Sequence, residues 1–156
     1  MKRLILLLVV LVACDPVQEV GEKKLSDSSY IIFGHFYGMC QGENCVETFK
    51  LTPESLFEET TDQYAFDLES ANFVLLPDSI LEKVKSLRNN IPSQLLSTTE
   101  EIIGQPDAGD WGGLYFGIVT PEKTQLWKID KMRSNLPEYL IPFADDIEAA
   151  IAEINQ

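Results

Sequence analysis

The chain has 156 residues, with 25 acidic against 12 basic side chains, a formal charge of −13 and one histidine. That length suits one domain, and 45% hydrophobic with 10% aromatic residues supports a packed core rather than a disordered chain. The acidity argues against a basic surface for nucleic acid or anionic head groups, and one histidine removes most histidine-centred catalytic and metal constellations.

Residues 1–14 read MKRLILLLVVLVAC, with Lys2 and Arg3 preceding an apolar run over 4–13. Ten residues are too few to span a bilayer, which takes about 20, so the run reads as the core of a signal peptide. Leu11-Val12-Ala13-Cys14 resembles the lipobox of bacterial lipoproteins. That resemblance implies removal of 1–13, diacylglycerol on the sulfur of Cys14, further acylation with palmitate as the expected chain, and a lipid-anchored place at the cell membrane or outer membrane. Cleavage removes two basic residues and no acid, leaving 143 residues with 10 basic against 25 acidic side chains, a balance of −15. Two or three acyl chains hold such a body without a basic patch. Asp15 resembles an inner-membrane retention signal in some bacteria, and the leaflet stays open. Residues 14–29 form the lipidated cysteine and a flexible polar tether containing Pro16 and Gly21, with a reach of roughly 20 Å.

The body, residues 30–156, is expected to be a single α+β domain: an antiparallel sheet built from two β-hairpins, with two amphipathic helices packed on one face. Residues 30–40 read as a strand, 41–44 as a turn and 45–51 as the returning strand. Setting Cys40 opposite Cys45 pairs Phe36 with Phe49, Gly34 with Leu51, His35 with Lys50 and Tyr37 with Thr48. A third short strand fits 56–60, and 72–76 read as a buried connector. Ser79 and Glu82 form a capping box before the apolar stripe Ile80, Leu81, Val84 and Leu87. A second hairpin spans 114–130, turning at 120–123, with Phe116 opposite Trp127 and Leu114 opposite Ile129. A slip of one residue there would reverse its faces. A last helix starts near Pro142 and carries Phe143, Ile147, Ala150, Ile151 and Ile154 on one side.

In an oxidising envelope Cys40 and Cys45 pair as a disulfide across the hairpin turn. A redox pair is the alternative, although the spacing is not C-x-x-C and Glu43 would raise a thiolate pKa. His35 and Cys40 point to opposite faces of an extended strand, which argues against a metal site with Cys45. The most unusual segment is 104–113, Gly-Gln-Pro-Asp-Ala-Gly-Asp-Trp-Gly-Gly, holding Asp107, Asp110 and Trp111 among four of the nine glycines. It reads first as a tight connector. Trp111 on a rigid loop also suits a partner contact, and the two acids suit a hard cation such as calcium, without the ordinary calcium-loop spacing. The body resembles small envelope domains whose first hairpin carries C-x-G-x-C near its turn. Here the motif is one residue longer, and no function follows from it.

The expected function is a membrane-anchored, non-catalytic binding or accessory lipoprotein with an envelope protein partner and no nucleic acid. The alternative is an envelope enzyme or cation-binding protein using 104–113, with Asp107 or Asp110 as ligand or acid–base. Thiol redox through Cys40 and Cys45 is the third.

Overall fold

The computed structural model describes residues 25–40 and 42–156. The signal segment, Cys14 and tether residues 15–24 lie outside the described residues. Among the described residues seven strands form one sheet: β1 (Tyr30–Phe36), β2 (Val46–Leu51), β3 (Leu56–Glu59), β4 (Phe73–Leu75), β5 (Ile102–Ile103), β6 (Gly113–Val119) and β7 (Thr124–Asp130). Their order is β4-β3-β2-β1-β6-β7-β5. Every neighbouring pair is antiparallel except β5, which runs parallel to β7. Three α-helices among the described residues, α1 (Asp78–Val84), α2 (Ser93–Ser97) and α3 (Ile141–Ile154), complete the α+β architecture. Two hairpins and two helices therefore understate it.

Alternation along β1 divides its side chains between two faces. Ile31 and Phe33 share a core cluster with Phe49, Leu51, Leu114, Phe116, Trp127 and Ile129, and with Leu81, Leu95, Phe143 and Ile147 from the helices. Phe116 stacks on Trp127 at 5.7 Å between ring centroids, and the Phe143 ring meets Phe116 edge-on at 4.8 Å. Each such pair adds roughly 0.5–1.5 kcal/mol beyond simple burial. The other face carries a smaller cluster, Phe36, Val46 and Tyr115, against which Phe66 packs.

The second hairpin has the expected register, Phe116 opposite Trp127 and Leu114 opposite Ile129. The first does not. Phe33 lies opposite Phe49 and His35 opposite Glu47, a shift of three residues from the Cys40–Cys45 alignment. β1 ends at Phe36, and the Tyr37 amide donating to the Cys45 carbonyl (2.9 Å) closes the ladder. The disulfide is present, with 5.5 Å between its Cα atoms, but it clasps the connecting loop instead of bridging paired strands.

Residues 72–76 are also different from expectation. Phe73 to Leu75 form the edge strand β4, on which Val74 and Leu75 are exposed. The capping box is absent because α1 starts two residues earlier, at Asp78 after Pro77, which puts Ser79 inside the helix. Proline there fixes the φ needed for helix entry without a side-chain cap. The Ile80 amide donates to the Pro77 carbonyl at 2.9 Å.

Residues 25–29, expected to belong to the flexible tether, are instead bound to the body. Leu25 packs on the core, and the Arg88 guanidinium donates to the carbonyls of Ser29 (2.8 Å) and Leu51 (3.2 Å). The chain thus enters the sheet at the Tyr30 end of β1, beside the 120–123 turn. Among the described residues no helix is long and apolar enough to cross a membrane.

Candidate functional site

Three loops converge beyond the opposite end of β1, past Phe36: 37–45, 60–72 and 104–112. Asp107 holds them together. Its Oδ2 accepts from the Gly38 amide (3.0 Å) and the Tyr64 hydroxyl (2.9 Å), and its Oδ1 accepts from the Gly112 amide (3.0 Å). Asp107 itself is left-handed, with φ of 62°, a conformation that aspartate tolerates better than most residues. The Tyr64 phenol is held above its ordinary value, first by its hydrogen bond to Asp107 and then by burial. A second acid, the buried Asp130, fixes the other end of the segment by accepting from the Gln105 and Met132 amides and from Asn135 Nδ2, each at 2.8 Å. Both carboxylates act as acceptors for protein donors, the role of turn-forming acids.

The rest of the segment turns outward. Gly109, Asp110 and Gly112 all have positive φ, between 64° and 75°. The Tyr37 ring occupies the place a side chain at Gly112 would need, so the chain passes against Phe36 and Tyr37 while Trp111 projects away. Trp111 is 65% exposed, Met132 43% and Met39 80%, and all three lie past the same end of β1, β6 and β7. Trp111 and Met132 border one groove, and contiguous exposed apolar side chains of this kind mark contact surfaces. Tyr37, Asp110, Trp111, Lys131, Met132 and Glu148 border an open groove of about 430 Å³. The Asp110 carboxylate has no hydrogen-bond or ion-pair partner among the described residues. Lys131 lies over the Tyr37 ring, donates to its hydroxyl and pairs with Glu148 at 3.1 Å. Arg133 is held by Asp145 (2.6 Å) and Glu148.

Beneath this surface sits the histidine. His35 Nε2 is 3.1 Å from the Asn44 carbonyl and 3.2 Å from Glu47 Oε2, and Asn155 Nδ2 donates to both oxygens of the buried Glu47 at 2.9 Å. The cluster ties the first hairpin to the end of α3. Burial pushes His35 below its ordinary 6.5. The Asn44 carbonyl and Glu47 oppose that shift, Lys131 adds to it and Glu148 opposes it. A depressed histidine leaves stability complete above 6.5, and stability is lost as pH falls from 6.5 through the folded value, because the unfolded chain takes up the proton first. Thermal unfolding should therefore show a fall in melting temperature between pH 7.5 and 5.5 that is smaller in His35→Gln. Glutamine keeps a donor for Glu47 but cannot titrate, and equal falls would contradict this reading of His35.

Of the residues the sequence singles out, Asp107, Asp110 and Trp111 share this end of the molecule, but only Asp110 and Trp111 face the groove. Asp107 is spent as a latch. Cys40 and Cys45 are joined, and Cys14 lies outside the described residues. Among the described residues no group of three or more histidine, cysteine, aspartate or glutamate side chains could hold a metal ion. Sequence reading missed Tyr64, Met39, Met132 and the His35–Glu47–Asn155 cluster. Tyr64 stands 43 residues from Asp107, and Asn155 stands 108 from Glu47, so no local spacing announces either pair. A scan of protein-family models and a search of curated proteins found no match to the chain.

Proposed function

We propose that the chain is an exported lipoprotein, cut before Cys14 and lipidated there, whose body is a non-catalytic binding module at the cell membrane or outer membrane. Its contact surface is the end of the sheet that carries Trp111, Met132 and Met39. One observation carries this reading: the chain enters at the Tyr30 end of β1, and the exposed aromatic and methionine side chains stand past the Phe36 end. Seven residues of strand separate the two ends by about 20 Å. A body standing on its tether then turns that surface outward. Binding is favoured over catalysis because, Asp110 apart, the polar groups around Trp111 are already engaged. Asp107 accepts three donors, His35 faces Glu47 and the Asn44 carbonyl, and Lys131 is held by Tyr37 and Glu148.

Two experiments test it. Cys14→Ser should abolish fatty-acid labelling, and persistent labelling would remove the anchor from the proposal. A photo-reactive residue at position 111 should trap one discrete adduct in intact cells, while the same residue at position 122, beside the tether, should not. Identical patterns from both positions would contradict the assignment of the contact surface.

A further inference from the structure

We infer that the groove beside Trp111 takes a basic segment of a partner protein, with a lysine or arginine side chain lying along the indole face and its charge against Asp110. The inference rests on the binding reading above and names the chemistry of the partner. The cations of this end are engaged within the molecule: Lys131 by Glu148 and Tyr37, Arg133 by Asp145 and Glu148. Among the described residues that border the groove, the acid left over is Asp110, adjacent in sequence to the exposed indole. An indole face attracts a cation through its quadrupole, and a carboxylate beside it adds direct attraction. Trp111 and Met132 supply an apolar floor for the alkyl stem of such a side chain.

Charge also sorts the possible occupants. Residues 25–156 hold 22 of the 25 acids but only 8 of the 12 basic side chains. A second copy of the chain would bring the same excess, and an anionic bilayer would be repelled likewise. A basic polypeptide is the occupant that this surface attracts.

The test uses the full lipidated chain in detergent and two short peptides, one alternating leucine with arginine and one alternating leucine with glutamate. The two tryptophans differ sharply, since Trp127 is 1% exposed, so changes in emission report on Trp111. The arginine peptide should shift that emission saturably and the glutamate peptide should not. Asp110→Asn and Trp111→Phe should each weaken the arginine peptide by about 2- to 5-fold, with binding to the second variant followed by calorimetry. Equal binding of both peptides, or an arginine peptide indifferent to both substitutions, would overturn the inference. A partner trapped at position 111 through an acidic or uncharged segment would also overturn it, while leaving the binding reading intact.

Discussion

Gly34→Ala is expected to destabilise the fold by about 3 kcal/mol or more, enough to deplete the folded population of a small domain. Gly34 lies in β1, between β2 and β6, opposite Thr48 and Tyr115. A methyl group there would fall inside van der Waals contact of the Glu47 carbonyl oxygen and 2.9 Å from the Thr48 Cα. Both obstacles are backbone. A flexible side chain could swing aside, but a strand can yield only by parting β1 from β2, and that would break the ladder that joins Phe33 to Phe49. The check is urea unfolding, in which the midpoint should fall sharply at an unchanged slope, or no folded baseline should remain. A midpoint within experimental error of the native chain would contradict the β1–β2 spacing.

Asp107→Asn should cost about 2 kcal/mol, mostly by releasing the loops at the Trp111 end. Asparagine keeps one carbonyl oxygen for the Gly112 amide and tolerates the left-handed backbone. Its amino group cannot accept from Gly38 or Tyr64, so the two contacts that join separate loops are lost. Two readouts separate this latch from a catalytic or cation-binding acid. The Tyr64 phenol should titrate closer to its ordinary 10.0 in the variant, because its hydrogen bond to Asp107 is the first cause of its elevation. Calcium should leave the melting temperature of the native chain unchanged, since the Asp107 oxygens already serve three protein donors. A calcium-dependent rise that Asp107→Asn removes would restore the cation reading of the segment.

The hairpin of β6 and β7 is legible from sequence because β6 is a continuous apolar, aromatic and β-branched run, Trp127 and Ile129 alternate with polar residues in β7, and the turn between them is short. The first hairpin is not, and the cysteines are the reason. Setting Cys40 against Cys45 assumes that both lie on the ladder, whereas the ladder closes at Tyr37 and Cys45 and Cys40 belongs to the loop. A disulfide constrains Cα separation, and a loop clasp meets that constraint as well as a strand pair does. From sequence β4 reads as a buried connector because Phe73-Val74-Leu75 is wholly apolar, and nothing local distinguishes a covered segment from an exposed edge. β5 has two residues and α2 five, too few for a period to register. At the candidate site, glycine and aspartate drew attention to 104–113, but the roles of Asp107 and Asp110 diverge through distant partners. Tyr64 and Gly38 claim the first, and the second is left facing the groove.

In the proposed orientation the body stands on its anchor with the Trp111 end turned away from the bilayer. Brominated acyl chains in vesicles that carry the full lipidated protein test it directly, because they quench indoles close to the membrane. Trp111 should keep the emission it shows in plain vesicles, while a tryptophan introduced by Glu122→Trp at the tether end should be quenched more strongly. Quenching of Trp111 equal to or deeper than that at position 122 would contradict the orientation and place the exposed surface on the lipid.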